Sequence, residues 1–175
     1  MIDETGGLVW GCVPRVDGVP VFCALLNGDK QDEGVWRIEL EDFASAHQEY
    51  QRNTSILKTR LEAKDGSAIE IVDFAPRFSR AGRMYRPVAF VRIVRCVAGA
   101  PRIRVRLAPM KNYGEALAET TNGTNHIRYM IGPQALRRAS AIFDNDPQYP
   151  FHADLFEALS VADYGDCLLD YRLPE

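Results

Sequence analysis

The chain has 175 residues, 46% of them hydrophobic and 26% charged, with a formal net charge of −3 and a sequence pI near 5.7. That length suits a single domain with a core of its own, and the acidic balance argues against nucleic acid as the main partner, because phosphate binding needs clustered cationic surface. The apolar runs fall far short of the roughly 18 residues a membrane span needs. MIDETGGLVW carries acids and glycines where a secretory leader would have a basic stretch before an apolar core.

In chain order, short apolar runs at strand length predict strands at 7–13, 20–26, 35–40, 46–52, 55–63, 67–75, 87–97, 102–109, 125–131, 134–143 and 165–172. The turns between them are chemically explicit. Asn27-Gly28, Asp65-Gly66 and Asn122-Gly123 readily take the positive φ that tight reversals need. In RIRVRL, Ile103, Val105 and Leu107 alternate with Arg102, Arg104 and Arg106, the pattern of a strand with one wet face. VAFVRIVRCV is apolar on both faces, which requires cover on both sides. ALRRASAIF also admits a helical reading through Leu136, Ala139 and Phe143. FHADLFEALSV, residues 151–161, predicts a short helix capped by Asp154 with Glu157 three residues on. The fold class expected is all-β: one antiparallel, multi-stranded β-sandwich of the super-β-sandwich type over residues 1–175.

The chemistry-bearing residues carry little spacing information. Cys12, Cys23, Cys96 and Cys167 are scattered, with no C-x-x-C pair, and read as reduced thiols of a cytoplasmic protein. His47, His126 and His152 lack metal-ligand spacing, and no P-loop, G-x-G-x-x-G or G-x-S-x-G occurs, so neither a metal nor a cofactor is expected. The arginine stripe reads as a solvated strand face paired with acids on a neighbouring strand, such as Glu62 or Glu70. Asp17, Asp73, Glu115, Asp144, Asp146 and Asp166 lie near turns, and nothing in their spacing selects the carboxylate pair a glycosidase needs. Asp73, inside the apolar run IVDFAP, is expected to be buried with an arginine partner. Trp10 and Trp36 lie within strand-like apolar runs and read as core. VPRVDGVPVF, residues 13–22, reads as a strand-to-strand connection in which Arg15 pairs with Asp17 or reaches toward a partner surface.

Several blocks together resemble the N-terminal domain of glycoside hydrolase family 15 proteins, the bacterial glucoamylase and trehalase-like group. GGLVWGCVPRVDGVPVF supplies a strand ending in Trp10, then Cys12, Pro14, Arg15 and Asp17, then a run containing Phe22. YQRNTSILKTRLEAKDGSAIEIVDFAP and PVAFVRIVRCVAGAPRIRVRLAPMKNYG are similar to the stretches that follow, and the likeness holds from about residue 5 to residue 115. The chain departs from the family pattern at Val9, Val16 and Gly18, where an acid, an aromatic and a serine are common. The resemblance implies a non-catalytic structural and interface domain of an inverting glycosidase acting on α-glucosides. The catalytic glutamates of such a protein lie in an (α/α)6 helical barrel whose pattern is absent here, so no catalytic residue is assigned to this sequence. The barrel of the same polypeptide and the parent's α-glucoside are then the expected partners, with no membrane and no nucleic acid. Arg15, Asp17 and Tyr113 are the candidates for the sugar cleft or the domain interface. The alternative is an independent carbohydrate-binding sandwich presenting Tyr85, Tyr113 and Tyr149.

Overall fold

The computed structural model describes residues 1–28, 32–124, 126–144 and 153–161. Within them the chain forms sixteen strands in the order β1 (Trp10–Cys12), β2 (Pro20–Cys23), β3 (Val35–Leu40), β4 (Phe43–Tyr50), β5 (Leu57–Ala63), β6 (Ala68–Phe74), β7 (Phe78–Arg80) and β8 (Arg83–Tyr85). They continue as β9 (Ala89–Ala98), β10 (Ile103–Ala108), β11 (Met110–Lys111), β12 (Ala116–Leu117), β13 (Glu119–Asn122), β14 (Ile127–Met130), β15 (Ala135–Asp144) and β16 (Ala153–Val161). Two single-turn 3-10 segments, Ala24–Leu26 and Asn112–Gly114, are the helical elements among the described residues. None is long and apolar enough to cross a membrane. The fold is an all-β sandwich, as expected.

The large sheet has eight antiparallel strands in the order β13-β14-β15-β16-β9-β6-β5-β4. Packed on it are the two-stranded pairs β3–β10 and β1–β2, with Leu8, in the segment that leads into β1, bridged to Trp36 of β3. The period-two pattern of each strand selects the inner face. On β3, Trp36, Ile38 and Leu40 face inward. On β5 these are Leu57, Thr59 and Leu61, and on β6 Ile69, Ile71 and Asp73. Phe22 and Trp36, both fully buried, stack with ring centroids 6.5 Å apart, and Phe90 meets Phe22 edge-on at 6.4 Å. A second cluster of Ile38, Leu61, Ile69, Ile71 and Val94 fills the other half of the interior, with Val105 packed against both.

The predicted turns form where the sequence places them. Asp65 accepts from Ser67 N at 2.8 Å and from Ser67 Oγ at 2.6 Å, closing the β5–β6 hairpin around Gly66 at φ +83°. The Asn122-Gly123 reversal joins β13 to β14, with Gly123 N donating to His126 O at 2.8 Å, but Gly123 does not take the positive φ expected of it.

Three expectations need correction. Residues 153–161 are a strand, not a helix. Asp154 and Glu157 supply local helix signals, but β16 pairs with β15 on one side and β9 on the other, with Leu159 opposite Phe90. Ladder bonding on both edges outweighs a weak propensity; Phe151 and His152 lie outside the described residues. The run 20–26 ends as a strand at Cys23, and Ala24–Leu26 turns into a 3-10 segment. The acids facing the β10 arginines are those around β3, because β10 pairs with β3. Arg106 meets Glu39 at 3.2 Å and Asp32 at 3.5 Å, and Arg102 lies 3.9 Å from Glu41. Glu62 and Glu70 sit on β5 and β6 and pair with Arg60 and Arg95 instead. The strand expected at 165–172, Cys167 and Tyr149 lie outside the described residues.

Candidate functional site

Residues 13–19 connect β1 to β2 at the surface. Pro20 enters β2 buried, and Val13 is anchored in the core at 5% exposure, so both ends of the loop are fixed. Between them Arg15 Nε donates to Asp17 Oδ1 at 2.9 Å and its second guanidine nitrogen to Asp17 Oδ2 at 3.0 Å. This two-pronged pair joins neighbours in the loop and is open to water, with the arginine and carboxylate side chains 77% and 64% exposed. An exposed pair of this kind fixes loop shape more than it stabilises the fold. Val16, at its tip, is 95% exposed.

Tyr113 lies elsewhere on the same layer. Asn112, Tyr113 and Gly114 take three consecutive positive φ values, +48°, +59° and +96°. Left-handed backbone is unusual for a bulky aromatic and collects where surrounding structure holds it in place. Here the support comes from the Cys23 end of β2 and from Asn27. A Cβ on Gly114 would stand 2.8 Å from Asn27 Oδ1 and 3.4 Å from Cys23 Sγ. The Asn27 side chain in turn donates to Glu33 O at 3.1 Å and to Met110 Sδ at 3.4 Å. Tyr113 itself is 59% exposed.

The two parts of the predicted site are therefore separate. The Arg15–Asp17 loop joins β2 at Pro20 and the Tyr113 turn packs at Cys23, about 10 Å apart along the strand. What the sequence did not single out is the apolar surface around Tyr113. Leu25 and Leu26 on the 3-10 turn after β2, and Leu117 on β12, are 50–58% exposed. Leu117 is held beside Met110 by the β11–β12 pair. The signal was present in ALL and EALAE, where apolar residues stand in segments too short for strand alternation.

Asp73 and Arg92 occupy the interior rather than a surface site. Arg92 Nε donates to Asp73 Oδ1 at 2.7 Å and another guanidine nitrogen donates to Oδ2 at 3.0 Å. Arg92 also donates to Trp36 O at 2.7 Å and to Gly6 O. The guanidinium lies 5.3 Å from the Trp36 ring centroid. A cleft of about 560 Å³ opens above this pair, lined in part by Gln48, Tyr50, Ser55, Phe74 and Phe90. The acid and base in its floor are already bonded to each other and to two carbonyls. Among the described residues no group of three His, Cys, Asp or Glu side chains converges in a way that could hold a metal ion. His126 is held below the usual imidazole range by desolvation, with Arg137 and Arg128 adding to the effect.

Of the tyrosines read as exposed platforms, Tyr85 is half-buried and stacks on Phe78, with centroids 5.5 Å apart and planes 12° off parallel. Trp36 is core, as expected, and Trp10 is half-buried.

Comparison with known proteins places these features. The chain is 28% identical to Trehalase 2 of Sulfolobus acidocaldarius over 128 residues, which is 73% of this chain and 19% of that protein. A shorter stretch of 44 residues is 48% identical to an agmatinase of Chromobacterium violaceum, covering 25% of this chain and 14% of that enzyme. The chain thus spans less than a fifth of the length of either relative. No solved structure matches it. The family described as trehalase-like, N-terminal matches residues 1–142, so β16 lies beyond the matched stretch. With most of its length inside that match and the all-β sandwich in place, the chain belongs to the trehalase-like N-terminal family.

Proposed function

We propose that this chain is the non-catalytic N-terminal domain of a trehalase-like glycosidase of glucoamylase type, acting on α-glucosides. In this reading it docks against a helical catalytic segment of the same polypeptide and helps shape the sugar cleft. The observation that carries the reading is the apolar surface of Leu25, Leu26, Tyr113 and Leu117, held outward by short, well-anchored segments. Large apolar side chains exposed on anchored segments that meet at the end of β2 suit an interface better than a free surface. The Arg15–Asp17 loop, with Val16 at its tip, flanks the same layer and would form the polar border of the contact. The family supports the parentage, and the commitment of Asp73 to Arg92 supports the absence of chemistry in this part. The docking surface is tested with the separately expressed catalytic segment of the longer polypeptide. Titrated with it, the chain should bind, and Leu26→Ser together with Tyr113→Ser should weaken binding at least about tenfold. Equal binding by the wild type and the double variant would reject this surface.

The competing reading is an independent carbohydrate-binding module, with Tyr113 as the platform. Calorimetric titration with trehalose and maltooligosaccharides separates the two. The docking reading predicts no heat at millimolar sugar, whereas saturable heat abolished by Tyr113→Ser would favour the module.

A further inference from the structure

We propose that two copies of this chain associate through β4, edge to edge, continuing the large sheet across a two-fold axis centred on Gln48. Among the described residues β4 closes one end of the sheet and pairs with β5 alone. It runs for eight residues, Phe43–Tyr50, without a proline or a lysine. All of it is exposed except Gln48, which is half-buried. Natural edge strands are usually shortened, charged or covered. The protection here is one irregularity at Ala44, near the start of the strand, and a single carboxylate, Glu49.

The phase of the ladder says which backbone groups are open. Gln51 N donates to Ile56 O at 2.9 Å, and Ala63 N donates to Ser67 O at 2.8 Å. In an antiparallel pair, residues alternate between bonding one neighbour and the other. Both bonds fix the same phase: Ser45, His47 and Glu49 bond toward β5, and Ala46, Gln48 and Tyr50 turn their N–H and C=O toward the outer edge. A second strand must therefore place its own even-numbered residues opposite these.

Three two-fold registers fit the regular part of the strand. One centred on His47 sets His47 against its own copy. One centred on Glu49 sets two carboxylates face to face, which is unfavourable. The register centred on Gln48 sets Gln48 against Gln48 and Ala46 against Tyr50, a small side chain beside a large one. On the other face it sets His47 opposite Glu49 twice, in the closer, non-hydrogen-bonded positions. The strand is thus self-complementary in that register, as an isologous interface requires. The far edge of the sheet, β13, has only four residues, and its Glu119 is engaged by Lys111 at 3.0 Å, so it offers no matching edge for an open chain of copies.

The test is sedimentation equilibrium of the 175-residue chain from micromolar to sub-millimolar concentration, with circular dichroism as the check on folding. A monomer–dimer equilibrium is expected. Ala46→Pro removes an outward N–H without touching the β5 ladder and should abolish the dimer. His47→Glu sets carboxylate against carboxylate twice and should weaken the dimer about tenfold. His47→Glu with Glu49→Lys restores opposite charges and should return the affinity to within about threefold of wild type. A chain that stays monomeric throughout, or a dimer indifferent to both Ala46→Pro and His47→Glu, overturns the proposal. Should Ala46→Pro fail to fold, the charge pair decides alone.

Discussion

Arg92 and Asp73 meet side by side on adjacent strands with both side chains almost wholly buried, the guanidine Nε 2.7 Å from the carboxylate Oδ1. The same guanidinium reaches across the interior to the carbonyls of Trp36 and Gly6, in the layer that covers the large sheet. One cation therefore joins β6, β9, β3 and the N-terminal segment. The pair serves as an internal tie whose value depends on every one of its partners being present.

Removing one partner strands a buried charge. Asp73→Leu and Arg92→Leu should each destabilise the chain by about 3–5 kcal/mol, read from urea unfolding midpoints. The double variant should cost less than the two singles added together, because it leaves no lone charge. Additive losses would show that the two residues do not act as a unit.

Gly34 tests how tightly β2 and β3 are joined. Its φ is +68°, and a Cβ there would stand 3.0 Å from both the backbone nitrogen and the Sγ of Cys23. Gly34→Ala should lower stability by about 1–3 kcal/mol, from left-handed backbone and close contact together. Gly28, also at positive φ but with open space around it, should lose less on the same change. Equal losses at the two sites would mean that the contact with Cys23 is not felt.

Much of the architecture was legible because strand alternation and turn chemistry are local. Asp65-Gly66 marks its hairpin by itself, and Trp36, Ile38 and Leu40 mark the inner face of β3. Asp73 could be expected to take an arginine, because an acid in an apolar run needs one. What escaped reading depends on which strands pair. Nothing in ADLFEALSV announces two flanking partners, so its capping signals suggested a helix. The acids that meet Arg102 and Arg106 follow from the β3–β10 pairing, which spacing does not reveal. The candidate site was legible residue by residue, in Arg15, Asp17 and Tyr113. The surface of leucines beside Tyr113 emerges only when β2, β11 and β12 come together.

The sheet order makes a separate prediction. Among the described residues β16 alone links β9 to the strands β15, β14 and β13. A chain ending at residue 144 would leave β9 and β15 with open edges in the middle of the sheet. It should lose cooperative unfolding or aggregate. A truncated chain that unfolds with the wild-type midpoint and slope would contradict that order.

Asp65 predicts a pH dependence. The Ser67 hydroxyl and amide hold its carboxyl below the usual value of 3.8. A carboxyl lowered in the folded state contributes stability above its unfolded value, and that contribution fades as pH falls through the folded one. Asp65→Asn should therefore be less stable than wild type near neutral pH, with the difference closing below about pH 3.8. A difference that stays constant into strong acid would remove this assignment.

The most direct measurement of the central claim is glucose release from trehalose by the purified 175-residue chain. The account predicts a rate no greater than that of buffer. Turnover that scales with protein and falls on carboxylate-to-amide substitution within this chain would contradict it.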